Sequence, residues 1–171
     1  MKTKNQFKYI IAVAALLLTS CTTLDEEPKS SQVSNQFYKN ESDAQAAVFA
    51  VYSSLIRGND AQSMYNRGIQ LATETTTDDF IAGPRAYNAN VQALSRLAHD
   101  ASNDRMQSIW QDHYQLINYA NIAIDRIAEI PDANISPAKR EQFINEAKFL
   151  RALAYFNLVR WFKYIPLQLH E

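Results

Sequence analysis

Two long runs of regularly spaced apolar residues place the strongest constraint on how this 171-residue chain folds. The first run predicts a helix that Asn103 or Asp104 caps and that Pro131 ends. The second predicts a helix that starts after Ser136, with a proline at its first position, and continues to about Phe162. Because only about six residues connect them, the two helices are expected to pack as antiparallel neighbours in a helical hairpin.

The second of these helices carries apolar residues on more than one face. One face holds Phe143, Ala147, Leu150, Ala154 and Leu158. Other apolar residues lie elsewhere around the helix, at Ile144, Phe149, Leu153 and Phe156. This distribution predicts a helix that packs on more than one side. Arg151 and Arg160 lie among these residues, so their charges must reach water or an acidic partner, and the sequence leaves that partner open.

Three ring-bearing residues of the first long helix are candidates for a binding role. Trp110 and Tyr114 are four residues apart and share one face, as a stacking platform for sugars would require. Helical spacing of large rings nevertheless favours packing in the core, which is the interpretation preferred here. His113 has no metal-ligand spacing to another histidine or cysteine and is expected to flank the packed face.

Shorter helices are predicted upstream of the hairpin. The sequence Ser-Asp-Ala-Gln at residues 42–45 forms a capping box that opens a helix running toward Gly58. A weaker helix is predicted over residues 61–75 and a short one over Val91 to Leu97, with a turn at Gly83-Pro84 between them. Since strand-like alternation is nearly absent and the chain contains 3 glycines, the fold class is expected to be all-α.

The first residues have the layout of a secretory signal. Three lysines precede an apolar run over residues 10–18, which spans about 14 Å as a helix and is too short to cross a bilayer. The only cysteine, Cys21, follows this run, and residues 18–21 resemble the lipobox of bacterial lipoproteins, in which the cysteine is acylated. The alternative is an ordinary signal followed by a chance thiol. We expect a signal peptide over residues 1–20, a lipidated tether over 21–40 and a helical domain over 41–171.

Charge and motif content argue against nucleic acid and against catalysis. Beyond the signal, 14 Lys and Arg stand against 18 Asp and Glu, with no basic run. No nucleophile with its base and no glycine-rich phosphate loop is apparent. Asp78 and Asp79 are adjacent, so they supply too few oxygens for a calcium site by themselves and do not face each other across a cleft. The sequence therefore predicts neither an enzyme nor a metal or cofactor site.

Three stretches resemble the SusD/RagB family of bacterial nutrient-binding outer-membrane lipoproteins. The first runs from Cys21 to Pro28, and the second is the Trp-x3-Tyr-x2-Ile-x2-Ala-Asn pattern that ends at Asn121. The third and most specific is "EAKFLRALAYFNLVRWFKYIPL", residues 146–167. One departure is that Lys163-Tyr164 stands where the family usually has Gly-Asp. Family members are several times longer, so the chain is expected to be the incomplete N-terminal part of such a protein.

The resemblance implies a fold, a ligand and a partner. It implies tetratricopeptide-like helical pairs, capture of an oligosaccharide or polysaccharide at the outer membrane, and delivery to a TonB-dependent SusC-like transporter. It places part of the glycan site in the long loop over residues 75–103, where Tyr87, Asn88 and Asn90 are candidate ligands together with Asp79. Acids at residues 25–27 resemble a surface-export signal. The alternatives are a lipid-anchored helical scaffold for envelope proteins and a fragment without function.

Overall fold

Five α-helices make up the regular structure of the described part of the chain, which in this computed structural model comprises residues 37–56, 65, 68–83 and 86–171. The helices are α1 (Glu41–Ser54), α2 (Ile69–Glu74), α3 (Ala89–Ser95), α4 (Asp104–Ala128) and α5 (Pro137–Phe162). No β-strand occurs within those ranges, and the all-α prediction is confirmed. The predicted signal peptide, Cys21 and the tether up to residue 36 lie outside the described residues, as do Gly58 and the start of the second predicted helix.

The two long helices begin where their cap residues predict. Asn103 caps α4, because its side-chain oxygen accepts a hydrogen bond from the Arg105 amide at 3.0 Å. Ser136 caps α5 in the same way through the Lys139 amide, and a proline occupies the first turn. Helix α5 ends at Phe162, as predicted.

The start of α1 differs from the prediction. The cap is Asn40, whose side-chain oxygen accepts from the Asp43 amide at 3.1 Å, while the Asp43 carboxylate accepts from the Lys39 amide at 2.8 Å. The capping box predicted with a serine at residue 42 is therefore wrong by two residues. A tertiary contact selects Asn40, since the Asn134 carbonyl accepts from the Glu41 amide at 3.1 Å and the Asn134 side chain donates to the Lys39 carbonyl at 2.9 Å.

Helices α4 and α5 form the predicted antiparallel hairpin. The Trp110 ring, near the start of α4, packs edge-on against the Phe162 ring at the end of α5, with 5.0 Å between their centroids. At the opposite end, the Arg140 guanidinium near the start of α5 donates to the Ile130 carbonyl just after α4. The contacts at both ends require the two helix axes to run in opposite directions.

A single core joins α1 to both long helices. The buried apolar residues are Ala44, Ala47, Val48, Val51, Leu116, Ile117, Ala120, Ala123, Ile127, Ile130, Ile135, Phe143, Ala147, Leu150, Ala154 and Leu158. All five residues predicted for the main face of α5 belong to this set. Trp110 and Tyr114 pack against it half-buried, with ring centroids 4.9 Å apart, so their predicted packing role is confirmed. Burying each Leu or Ile side chain contributes about 1.5–3 kcal/mol, which makes this core the main source of stability.

One prediction about an individual side chain is wrong. His113 does not flank the packed face, because its ring is fully buried and its Nδ1 lies 2.6 Å from the Ile109 carbonyl. Burial lowers the pKa of His113, against a smaller opposing effect of that hydrogen bond. Helix α5 packs against both α1 and α4, as the distribution of its apolar residues predicts, and Ile144 and Leu153 are half-buried. Phe149 and Phe156, by contrast, are 65% and 60% exposed.

Candidate ligand-binding site

The long loop between α2 and α4 contains the predicted ligand residues and is organised around α3. Val91 and Leu94 on the inner side of α3 are buried, which fixes this short helix against its neighbours. Asn88 caps α3, because its side-chain oxygen accepts from the amides of Asn90 at 2.9 Å and Val91 at 3.1 Å. The short helix predicted over Val91 to Leu97 is confirmed, and it begins two residues earlier.

Further hydrogen bonds tie the rest of the loop to α3. The Ser95 hydroxyl accepts from the Ala82 amide at 2.9 Å. The Gln92 side chain donates to the Ala86 carbonyl at 2.7 Å. The Ala86 amide donates to the Gly83 carbonyl at 2.9 Å, as the turn predicted at Gly83-Pro84 requires. Hydrogen bonds therefore hold the residues on both sides of Tyr87, namely Ala86 and Asn88.

The four predicted ligand residues are placed differently. Tyr87 is 87% exposed, so both faces of its ring are accessible. Asn88 is exposed, but its oxygen is engaged in capping, which leaves its Nδ2 group for a ligand. Asn90 is half-buried in the first turn of α3. Asp79 is exposed, and among the described residues no hydrogen bond joins it to the other three.

Asn103 is a residue of this site that the sequence indicated only as a helix cap. It is buried, and while its oxygen caps α4, its Nδ2 donates to the Asn90 carbonyl at 3.0 Å. One amide group therefore connects the candidate loop to the long hairpin. The signal for the cap is local in sequence, whereas the bond to Asn90 spans 13 residues and has no sequence signature.

The exposed surface of the loop combines aromatic, apolar and amide groups. Phe80, Ile81 and Leu97 are exposed in addition to the Tyr87 ring. An aromatic face and amide groups are suited to the apolar faces and hydroxyls of sugars. In the ranges that the structure describes, no group of three His, Cys, Asp or Glu side chains is arranged to hold a metal ion.

A second polar site lies between α4 and α5, where the C-terminal segment, residues 164–170, follows the hairpin. The groups that hold it come from Tyr114, Asn121, Arg151 and Tyr155, here called the clamp. Within the clamp, Arg151 donates to the Asn121 side-chain oxygen at 2.7 Å. The partner that the sequence left open for Arg151 is therefore an amide and not an acid.

Comparison with known proteins gives the class of this protein. A model of the SusD-like family described as "Starch-binding associating with outer membrane" matches residues 23–171. The chain is 30% identical over 169 residues to SusD-like protein P38 of Formosa agariphila, covering 97% of this chain and 31% of that protein. It is 27% identical over 157 residues to a SusD-like protein of Bacteroides ovatus, covering 88% of this chain and 26% of that protein. No solved structure matches.

The chain belongs to the SusD-like family, as the family match and the identity to P38 together show. This agrees with the resemblance to SusD/RagB proteins found in the sequence. The chain spans about a third of the length of the curated relatives it matches, 31% for both P38 and P2 of Formosa agariphila. Among the described helices, none has the length and apolar character needed to cross a membrane.

Proposed function

We propose that this chain is the helical part of a cell-surface outer-membrane lipoprotein that binds glycan without cleaving it and delivers it to a TonB-dependent SusC-like transporter. The family description, which names starch binding and association with the outer membrane, supports the general role. The pairing with a transporter is proposed from the resemblance in the sequence. Since the relatives are about three times longer, the complete glycan site is expected to include residues beyond those present here.

The observation that carries this proposal is the exposed Tyr87 ring, which lies between two loop residues that are held by hydrogen bonds. Its backbone lies between Ala86, which is bonded to Gly83 and Gln92, and Asn88, which caps α3. Because the backbone on either side is held in this way, the Tyr87 ring can stack on a pyranose face with little loss of backbone entropy. The free Nδ2 of Asn88 is adjacent in sequence and can donate to a sugar hydroxyl, and exposed Asp79 can accept from one.

Affinity electrophoresis against starch and a panel of other glycans tests this role. The chain is expected to be retarded by at least one glycan, and Tyr87→Ala is expected to weaken binding roughly 2- to 12-fold, as loss of a stacking contact predicts. Tyr164→Ala is the matched control, because Tyr164 is 93% exposed but lies outside the loop. Absence of retardation on every glycan contradicts the proposal, and equal losses in both variants contradict the role of Tyr87.

The lipid anchor is tested separately at Cys21. Cells expressing the protein are expected to incorporate labelled palmitate into it, and Cys21→Ala is expected to abolish the label and release the protein from the membrane fraction. Replacing the acids at residues 25–27 with alanine is expected to keep the label but lower protease accessibility on whole cells. Palmitate labelling that survives in Cys21→Ala contradicts the anchor, and unchanged accessibility contradicts the export signal.

A scaffold for envelope proteins is the second candidate, and one observation favours it. Phe49 on α1 and Ile56 just after its end are exposed, as are Phe149 and Phe156 on α5, so apolar side chains along both helices are available to another protein. Copurification from detergent-solubilised membranes distinguishes the two functions. A transporter barrel together with glycan retardation supports uptake, whereas other envelope proteins without glycan retardation support the scaffold.

A further inference from the structure

The C-terminal segment is held by its main chain. The Tyr114 hydroxyl donates to the Pro166 carbonyl at 2.7 Å. The Asn121 amide donates to the carbonyls of Gln168 at 3.2 Å and His170 at 3.1 Å. The three bonds from Tyr114 and Asn121 therefore all end on backbone oxygens of the segment.

The contacts from α5 follow the same rule. Arg151 donates to the Leu169 carbonyl at 2.9 Å. The Tyr155 hydroxyl donates to the Gln168 carbonyl at 2.6 Å and accepts from the Gln168 amide at 2.7 Å, so it engages both polar backbone groups of one residue. Outside the clamp, the side chains of His170 and Glu171 contact Asp125 and Arg126 at the end of the segment.

The helical spacing of the clamp explains why its members face one groove. Tyr114 and Asn121 are two turns apart on α4, and Arg151 and Tyr155 are one turn apart on α5, so each pair lies along one side of its helix. Asn121 is buried, and its oxygen accepts from Arg151, which directs its Nδ2 group toward the segment. Asn121 and Arg151 therefore orient each other without any side chain of the segment.

Most side chains of the segment contribute little to this contact. Tyr164, Leu167 and Leu169 are exposed, with Leu167 at 69%. The exceptions are Ile165, which packs half-buried against the core, and His170, whose ring contacts Asp125. Because the clamp itself bonds only to backbone carbonyls and an amide of the segment, it selects a backbone path and not a residue sequence.

We propose that the groove between α4 and α5 is a receptor for main chain, closed by residues 164–170 of the same chain, and tolerant of side-chain changes at Leu167 and Gln168. The segment acts as a latch that fixes where the chain leaves the hairpin. This role is independent of glycan binding, which is assigned to the loop around Tyr87.

Trypsin cleavage after Lys163 in the full chain measures how often the latch opens, because the released peptide, residues 164–171, is quantified by mass spectrometry. Tyr155→Phe keeps the ring and removes the hydroxyl, and Asn121→Asp keeps the acceptor for Arg151 and removes the donor. Each variant is expected to speed release of the peptide roughly five- to tenfold, as loss of one or two hydrogen bonds predicts. Leu167→Ala and Gln168→Ala are expected to leave the rate within about twofold of the original.

Circular dichroism at 222 nm, recorded for every variant under the digestion conditions, ensures that only chains with intact helices are compared. With helices intact, an unchanged rate in both clamp variants overturns the proposal. It is equally overturned if Leu167→Ala and Gln168→Ala accelerate release as much as the clamp variants do, because the segment would then be recognised by its side chains. Should Asn121→Asp unfold, Tyr155→Phe alone decides between these outcomes, since it preserves the packing of the ring.

Discussion

Replacing Lys163 with glycine is expected to stabilise the protein. Lys163 has φ 63° and ψ −68°, and the Tyr164 amide donates to the Phe162 carbonyl at 2.7 Å. These values define a γ-turn with positive φ at its central residue, a conformation that is strained for any residue with a Cβ atom. It lies where family members usually carry glycine, so the departure noted in the sequence coincides with a strained backbone position.

The size of the effect follows from two opposing contributions. Holding a non-glycine residue in this region costs about 1–3 kcal/mol, which glycine relieves. Glycine also gives the unfolded chain more freedom, which costs about 0.5–1 kcal/mol. The net gain expected for Lys163→Gly is therefore about 0–2.5 kcal/mol, equivalent to a rise in melting temperature of up to roughly 10 °C for a unit of this size.

Urea unfolding followed by circular dichroism gives the free energy of unfolding for each variant. Lys163→Ala is the matched control, because alanine removes the charge and the long side chain but retains the Cβ atom, and it is expected to change stability by less than about 0.5 kcal/mol. Two results refute the reasoning: a fall in stability for the glycine variant, or an equal gain for the alanine variant. A fall in stability would show that the backbone at Lys163 is not strained. An equal gain in the alanine variant would show that the effect comes from the charge or the long side chain.

Three further predictions concern the core and the loop. Leu150→Ala is expected to lower the free energy of unfolding in urea by about 2–5 kcal/mol, because it leaves a cavity at a fully packed position. Asn103→Asp is expected to keep the α4 cap but lose the bond to Asn90, so hydrogen exchange should quicken in α3, and the melting temperature should fall because a buried carboxylate would face the Asn90 carbonyl. Because burial lowers the pKa of His113 from 6.5, its contribution to stability is present above pH 6.5 and is lost on acidification, by up to about 1.4 kcal/mol per pH unit. Burial raises the pKa of Asp112 to about 6, so protonation of this carboxyl group below pH 6 favours the folded state and opposes the loss caused by His113. The melting temperature is therefore expected to fall less steeply with decreasing pH in His113→Leu and more steeply in Asp112→Asn.

The parts of the fold that sequence reasoning found are those with local causes. Ser136 with its following proline, and Asn103, start their helices through contacts within one turn, and the apolar spacing around Leu150 identifies the inner face of α5. The start of α1 escaped prediction because two acceptable caps, Asn40 and the serine at 42, compete locally. Asn134, more than 90 residues away, decides between them.

The candidate sites divide in the same way. Asn88 was identified as a polar loop residue, and its position before a short apolar pattern could also have shown that it caps α3. The sequence does not reveal the clamp, because the groups that the clamp binds are backbone atoms, which every residue possesses. His113 was predicted to flank the packed face because it is polar. It is buried instead, because a neutral imidazole can enter the core when the Ile109 carbonyl accepts its Nδ1 proton.

The contacts of Asn134 with Lys39 and Glu41 have a mechanical consequence. They fasten the N-terminal side of α1 to the turn of the hairpin, while Asn103 fastens the candidate loop to the opposite end of α4. These ends are separated by the 25 residues of α4, about 37 Å at 1.5 Å per residue. A pull on the chain ahead of residue 37 would first load the contacts of α1 with the turn and with the core, whereas the loop is fastened at the far end of α4.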